Sequence, residues 1–121
     1  MAFTQQVRAS AGGLVVSVSG ELDYTVSGAF EASIQRLIAT RRPRWVHLDL
    51  TGLRFVDSAA ISALVRLWRL ARREQCSLRV INVSGMVQHV LDVTGALALL
   101  GTGEAPPVKA TAPVPEPDAA T

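Results

Sequence analysis

The chain has 121 residues, 49% of them hydrophobic, with a mean hydropathy of +0.29, which describes one globular domain with room for a tail rather than a disordered polymer. No run approaches the ~18 apolar residues that cross a bilayer, and the opening MAFTQQVRAS lacks the charged-then-apolar layout of a signal peptide, so membrane insertion is not expected and a cytoplasmic protein is. The net charge of +2 divides unevenly: from Thr102 onward Glu104, Glu116 and Asp118 face only Lys109, leaving the body near +4 on eleven scattered arginines without aromatic interleaving, a poor match to a nucleic-acid surface.

In chain order, Phe3–Arg8 is expected to pair as a hairpin with the strand Leu14–Gly20, turned by Ala11-Gly12-Gly13. Val26, Ala29, Phe30, Ile34, Leu37 and Ile38 recur at helical spacing, so a helix is predicted over Thr25–Thr40, capped by Thr25 or Ser27 and ended before Pro43. Trp45–Leu50 reads as a strand, Ser58–Glu74 as a helix and Ser77–Val83 as a strand. A helix follows over Met86–Val93, opened by Ser84-Gly85 and stopped by Gly95, and then the short apolar segment Ala96–Leu100. The order ββαβαβα predicts an α/β fold with a small, mostly parallel sheet, an N-terminal hairpin and helices on one face or both. Residues 1–100 form the domain, and the Pro/Ala-rich residues 101–121 read as a flexible tail.

Chemistry-bearing residues are few. Cys76 is alone and sits where a strand begins, so it reads as a buried structural thiol; His47 and His89 lack ligand spacing and read as edge or surface residues. The carboxylates of Glu21 and Asp23 have no third partner nearby, and no nucleophile–histidine–acid set or phosphate-binding glycine loop is present. Neither a metal, a cofactor nor an enzyme is expected.

The junction Phe55-Val56-Asp57-Ser58 carries the most information. A buried strand there delivers a serine to the first turn of a helix, at the sheet end where α/β proteins read ligands and partners. A hydroxyl in that place can cap the helix, or accept a phosphoryl group that the helix dipole tolerates. Ser58, Ser62, Arg66, Arg69 and Arg73 make one polar stripe along the helix, with Leu67 or Leu70 expected partly exposed on its flank.

These residues, taken together, resemble the STAS-domain anti-sigma factor antagonists over about Val7–Leu100. The parts are Gly20-Glu21-Leu22-Asp23, Leu48-Asp49-Leu50, Phe55-Val56-Asp57-Ser58, the arginine-bearing helix and Val90-Leu91-Asp92-Val93-Thr94-Gly95, in that order. The resemblance implies a cytoplasmic regulator that captures an anti-sigma factor serine kinase, with Ser58 as phosphoacceptor and a phosphatase that resets it. It also implies a partner surface of Asp23, Asp57, Ser58, Ala59, Ala60, Ser62 and Arg66.

Two departures stand out. Ala59-Ala60 replaces the family's usual Ser/Ala-Gly after the serine, and no counterpart of the family's last helix follows Leu100, an exposed edge that would suit a weak homodimer. The alternative implied by the same resemblance is a stand-alone STAS subunit of an ABC-type transport system, or a stressosome-type scaffold, with Ser58 only a cap. A small-molecule or nucleotide sensor is a third reading, without ligand-selective residues to support it.

Overall fold

The structure, a computed structural model, describes residues 3–101. Eight elements follow one another: β1 (Phe3–Ser10), β2 (Gly13–Leu22), α1 (Ser27–Arg41), β3 (Trp45–Val56), α2 (Ser58–Arg73), β4 (Ser77–Ile81), α3 (Gly85–Val93) and α4 (Ala96–Leu100). Ala11 and Gly12 turn the first hairpin, and Gly12 takes φ +81, which its missing Cβ allows. α1 then carries the chain over to β3, parallel to β2, and α2 carries it to β4, parallel to β3, so the sheet order is β1-β2-β3-β4. This is the expected ββαβαβα fold, with the last apolar segment folded as the short α4. The expected tail lies outside the described residues apart from Gly101. Among the described residues no helix is long and apolar enough to cross a membrane.

Alternation along the strands decides which face the helices take. Leu14, Val16 and Val18 of β2, Val46, Leu48 and Leu50 of β3, and Leu78 and Val80 of β4 enter one buried cluster. Phe30, Ile34 and Ile38 of α1, Leu64, Leu67 and Ala71 of α2, Val87 and Leu91 of α3, and Leu100 of α4 complete it. Most of the intervening strand residues, among them Ser17, Asp49, Thr51 and Arg79, are half-buried or exposed, with Val15 and Ile81 the buried apolar exceptions, so all four helices pack on one side and the other face of the sheet stays open. Of the two leucines expected on the flank of the stripe, Leu67 is fully buried and Leu70 is the half-buried one. β1, an edge strand, contributes little beyond an edge-on contact of Phe3 with Phe30 (centroids 6.0 Å apart) and a 2.7 Å bond from Gln5 Nε2 to Ser33 Oγ.

Two elements depart from the sequence expectation in a way that matters for function. β2 and β3 both run further than their apolar alternation indicates, to Leu22 and Val56, pairing Glu21 with Phe55 and Leu22 with Val56 across two register shifts. Gly52 permits this: a Cβ there would collide with the Ser19 hydroxyl on the neighbouring strand. The extension carries Asp23 and Asp57 to the same height at the end of the sheet.

His47 is half-buried and does not lie at an edge. It sits on the central strand β3, on the open face, stacked on Trp45 with ring centroids 4.4 Å apart and with Nδ1 buried and unpartnered. Burial, and secondarily the charge of Arg79, push its pKa down to about 4. His89 is exposed, and Cys76 is buried with its thiol pushed up to about 11 by burial, as a structural thiol should be.

Candidate functional site

Parallel pairing puts the C-terminal ends of β2, β3 and β4 at one end of the sheet, and each strand there turns into a helix. At the middle junction Asp57 is extended (φ −113, ψ −175) and occupies the N-cap of α2. Its Oδ1 accepts the Ala60 N–H at 2.9 Å, satisfying one of the helix's free amides. Its Oδ2 accepts the Tyr24 N–H at 2.8 Å, from the loop after β2. One carboxylate therefore ties the β2–α1 loop to the start of α2.

That loop is braced from its other side. Asp23 Oδ1 accepts the Thr25 N–H at 3.0 Å and the Thr25 hydroxyl, and the Asp23 carbonyl accepts the amides of Val26 and Ser27. The Thr25 hydroxyl, opposed by desolvation and helped by the Thr25 and Val26 amides, holds the Asp23 carboxyl below its ordinary value. Neither Thr25 nor Ser27 caps α1, as the sequence suggested: Val26 stands at the N-cap without a side-chain bond, Thr25 is spent on Asp23, and Ser27 is buried.

With Asp57 on the cap, Ser58 becomes the first residue of α2. Its side chain is exposed, and among the described residues no group bonds its hydroxyl. The cap that the sequence offered to the Ser58 hydroxyl is thus taken by Asp57. What stands at the site is an unengaged hydroxyl at the positive end of a 16-residue helix.

The remaining site residues separate into groups. Ser62 is exposed one turn further on, and Ala59 is half-buried beside Ser58. Ala60 is fully buried, so its methyl is removed from the expected partner surface; the 100° step per residue turns position 60 inward while its amide serves Asp57. Arg66 is exposed, as are Arg69 and Arg73, so the polar stripe is real. Arg66 is nevertheless tied to α1: its Nε and Nη2 donate to Glu31 Oε2 and Oε1 at 2.9 and 2.8 Å, a fork-to-fork pair that raises its pKa. It stands about 12 Å along the helix from Ser58. Asp23, Asp57, Ser58 and Ser62 are brought together; Arg66 is set apart.

Two residues of the area escaped the sequence reading. Glu31 gave no signal, since its partner is 35 residues away. Tyr24, the chain's one tyrosine, left a trace: a large ring in a strand-end loop right after Asp23. Among the described residues no group of three His, Cys, Asp or Glu side chains is placed to hold a metal ion.

The chain belongs to the STAS domain family, whose model matches residues 4–111. The anti-sigma F factor antagonist of Paenibacillus polymyxa is 27% identical over 89 residues, covering 74% of this chain and 76% of that protein. An anti-sigma factor antagonist from Mycobacterium paratuberculosis superposes with a TM-score of 0.77 at 24% identity, over 86% of this chain and 87% of the other. The Bacillus cell fate determinant SpoIIAA in its phosphorylated form superposes with a TM-score of 0.61 at 19% identity, over 82% and 90%. The two structural likenesses show the shared fold.

Proposed function

We propose that the chain is an anti-sigma factor antagonist: unmodified, it binds an anti-sigma factor serine kinase and so frees a sigma factor, and phosphorylation of Ser58 by that kinase ends the binding. The observation that carries the proposal is the exposed, unengaged Ser58 hydroxyl, released for modification because Asp57 holds the cap. The curated relative's name, anti-sigma F factor antagonist, supports the class of partner. A structural relative in a phosphorylated form supports a fold that tolerates the modification. The reading is of a non-catalytic binding module in the cytoplasm, reset by a phosphatase.

The physics of the switch is electrostatic. Phosphoserine adds about −1.5 to −2 charges. At the N-terminus of α2 the helix dipole offsets part of this, by about 0.3–1 kcal/mol, so the fold survives. In an interface fitted to a hydroxyl, the same charge beside Asp57 and Asp23 must be desolvated against like charge. A penalty of about 3 kcal/mol weakens binding roughly a hundredfold. Ala59 adds a half-buried methyl next to Ser58 and narrows which partners can approach closely.

The test is phosphopeptide mapping of the protein from its host in several growth states, with binding of Ser58→Ala and Ser58→Asp to an anti-sigma factor serine kinase of that host. A phosphoryl group on Ser58 that varies with growth, with Ser58→Ala bound and Ser58→Asp released, is the expected result. An unmodified Ser58 in every state, with Ser58→Asp bound as tightly as the wild type, would overturn it and favour the transport-subunit or scaffold reading.

A further inference from the structure

Tyr24 is the most exposed large hydrophobic residue of the described chain, with 75% of its surface open. An exposed ring on a loose loop would need no explanation, because single apolar residues on a surface are common. This ring is on a loop held from both sides. The Tyr24 amide donates to Asp57 Oδ2, the next residue's amide donates to Asp23 Oδ1, and the Asp23 carbonyl takes the two amides after that. Four hydrogen bonds therefore fix the backbone that carries a side chain touching almost nothing of its own domain.

The same bonds change what the surrounding acids offer. Both oxygens of Asp57 are engaged by amides, and Asp23 Oδ1 by Thr25. Before modification, then, the end of the sheet displays an exposed aromatic ring on a braced backbone and a free hydroxyl, joined through one carboxylate. Tyrosines are the kind of side chain that dominates binding energy, because they bury a large area and lose only two torsions.

We infer that Tyr24 is the anchor of the partner interface: its ring enters an apolar pocket on the anti-sigma kinase next to the groove that receives Ser58. Asp57 is the positioning residue that sets the distance between ring and hydroxyl. This inference rests on the function proposed above and adds where the affinity and partner choice reside. Ser58 decides when the partner is held, and Tyr24 decides which partner and how tightly.

The experiment measures binding of the full chain to an anti-sigma factor serine kinase of its host by surface plasmon resonance, for wild type, Tyr24→Ala, Tyr24→Phe and Val93→Ala. Val93, 66% exposed at the end of α3, is the control for loss of an exposed apolar side chain elsewhere. Expected are a loss of about thirtyfold or more for Tyr24→Ala, seated in the dissociation rate, near-wild-type binding for Tyr24→Phe and no change for Val93→Ala. Unchanged thermal melting of Tyr24→Ala would show that the fold is intact. Tight wild-type binding with no loss for Tyr24→Ala overturns the anchor and leaves the proposed function standing. No binding by the wild type overturns both.

Discussion

The β3–α2 and β4–α3 junctions each carry a serine, and the sheet brings both to the same end, yet they are built differently. At β3–α2 a carboxylate sits on the N-cap, bonds forward to Ala60 and sideways to Tyr24, and leaves the serine one position inside the helix with a free hydroxyl. At β4–α3 the serine itself, Ser84, stands at the N-cap, exposed and without a side-chain cap bond, before a helix of nine residues. Neither serine hydroxyl makes a cap bond, so the difference lies in Asp57, which takes the cap of α2 and stiffens the neighbouring loop as well.

Four experiments break or sharpen this contrast. The largest effect is expected from the anchorage of the two helices. Leu64, almost fully buried beneath α2, should cost about 3 kcal/mol on replacement by alanine, and the half-buried Val90 of α3 about 1 kcal/mol. Urea titration measures both, and equal losses would mean that the two junctions are equally firm. Next, Asp57→Ala should destabilise by about 2 kcal/mol, losing the cap and the Tyr24 bond together, and Ser84→Ala by less than about 0.5 kcal/mol. A Ser84→Ala loss as large as that of Asp57→Ala would erase the distinction.

Acid sensitivity separates the junctions from the open face. The folded chain keeps His47 neutral down to about pH 4, whereas the unfolded chain protonates it near 6.5. Between those values the unfolded state binds more protons, so stability is complete above pH 6.5 and falls as the pH drops towards 4. Discounted for partial exposure, the loss is on the order of 1–2 kcal/mol. His47→Phe, which keeps a ring against Trp45, should flatten that window in denaturation curves taken from pH 7 to pH 4.5. If the slope persists, its source lies elsewhere. Asp23 and Asp49, both held below the ordinary 3.8, lose their contribution only at still lower pH.

The smallest effect is expected from the tie between α1 and α2. Arg66→Lys keeps the charge but loses the fork on Glu31, and a slight drop in melting temperature that vanishes in high salt is the predicted outcome. A salt-independent drop would mean that Arg66 acts through packing.

The element order was legible because helix and strand periodicity are local properties, and the serine at the head of α2 was legible because an apolar run ends there. What failed to show was lateral. Thr51-Gly52 interrupts the apolar alternation of β3, so the strand's last six residues disappear from the pattern, although β2 continues beside them. The helices' choice of one face depends on open-face positions lining up across strands, Ser17 beside Asp49 and His47 beside Arg79. His47 is half-buried because β3 has β2 and β4 on either side and Trp45 lies against its ring, and the strand's place in the sheet is not written in its own residues. Ala60 was misplaced by reading the site as a run of adjacent residues, where a helix turns consecutive positions apart. The Tyr24–Asp57 bond joins residues 33 apart, and no local rule reaches that far.

The packing of Trp45 against Gly13 has a kinetic meaning. A Cβ at position 13 would collide with the Trp45 indole, so the ring lies over bare backbone of the neighbouring strand, and that seat exists only once β2 and β3 have aligned. β2 and β3 are separated by the whole of α1, and closing such a crossover is the costly, slow part of building a parallel sheet. In a Trp68→Phe background, Trp45 emission is therefore a clock for that closure. Its rise in stopped-flow refolding should trail the helical signal in the far ultraviolet, reporting the moment at which a set of helices becomes a sheet-backed domain.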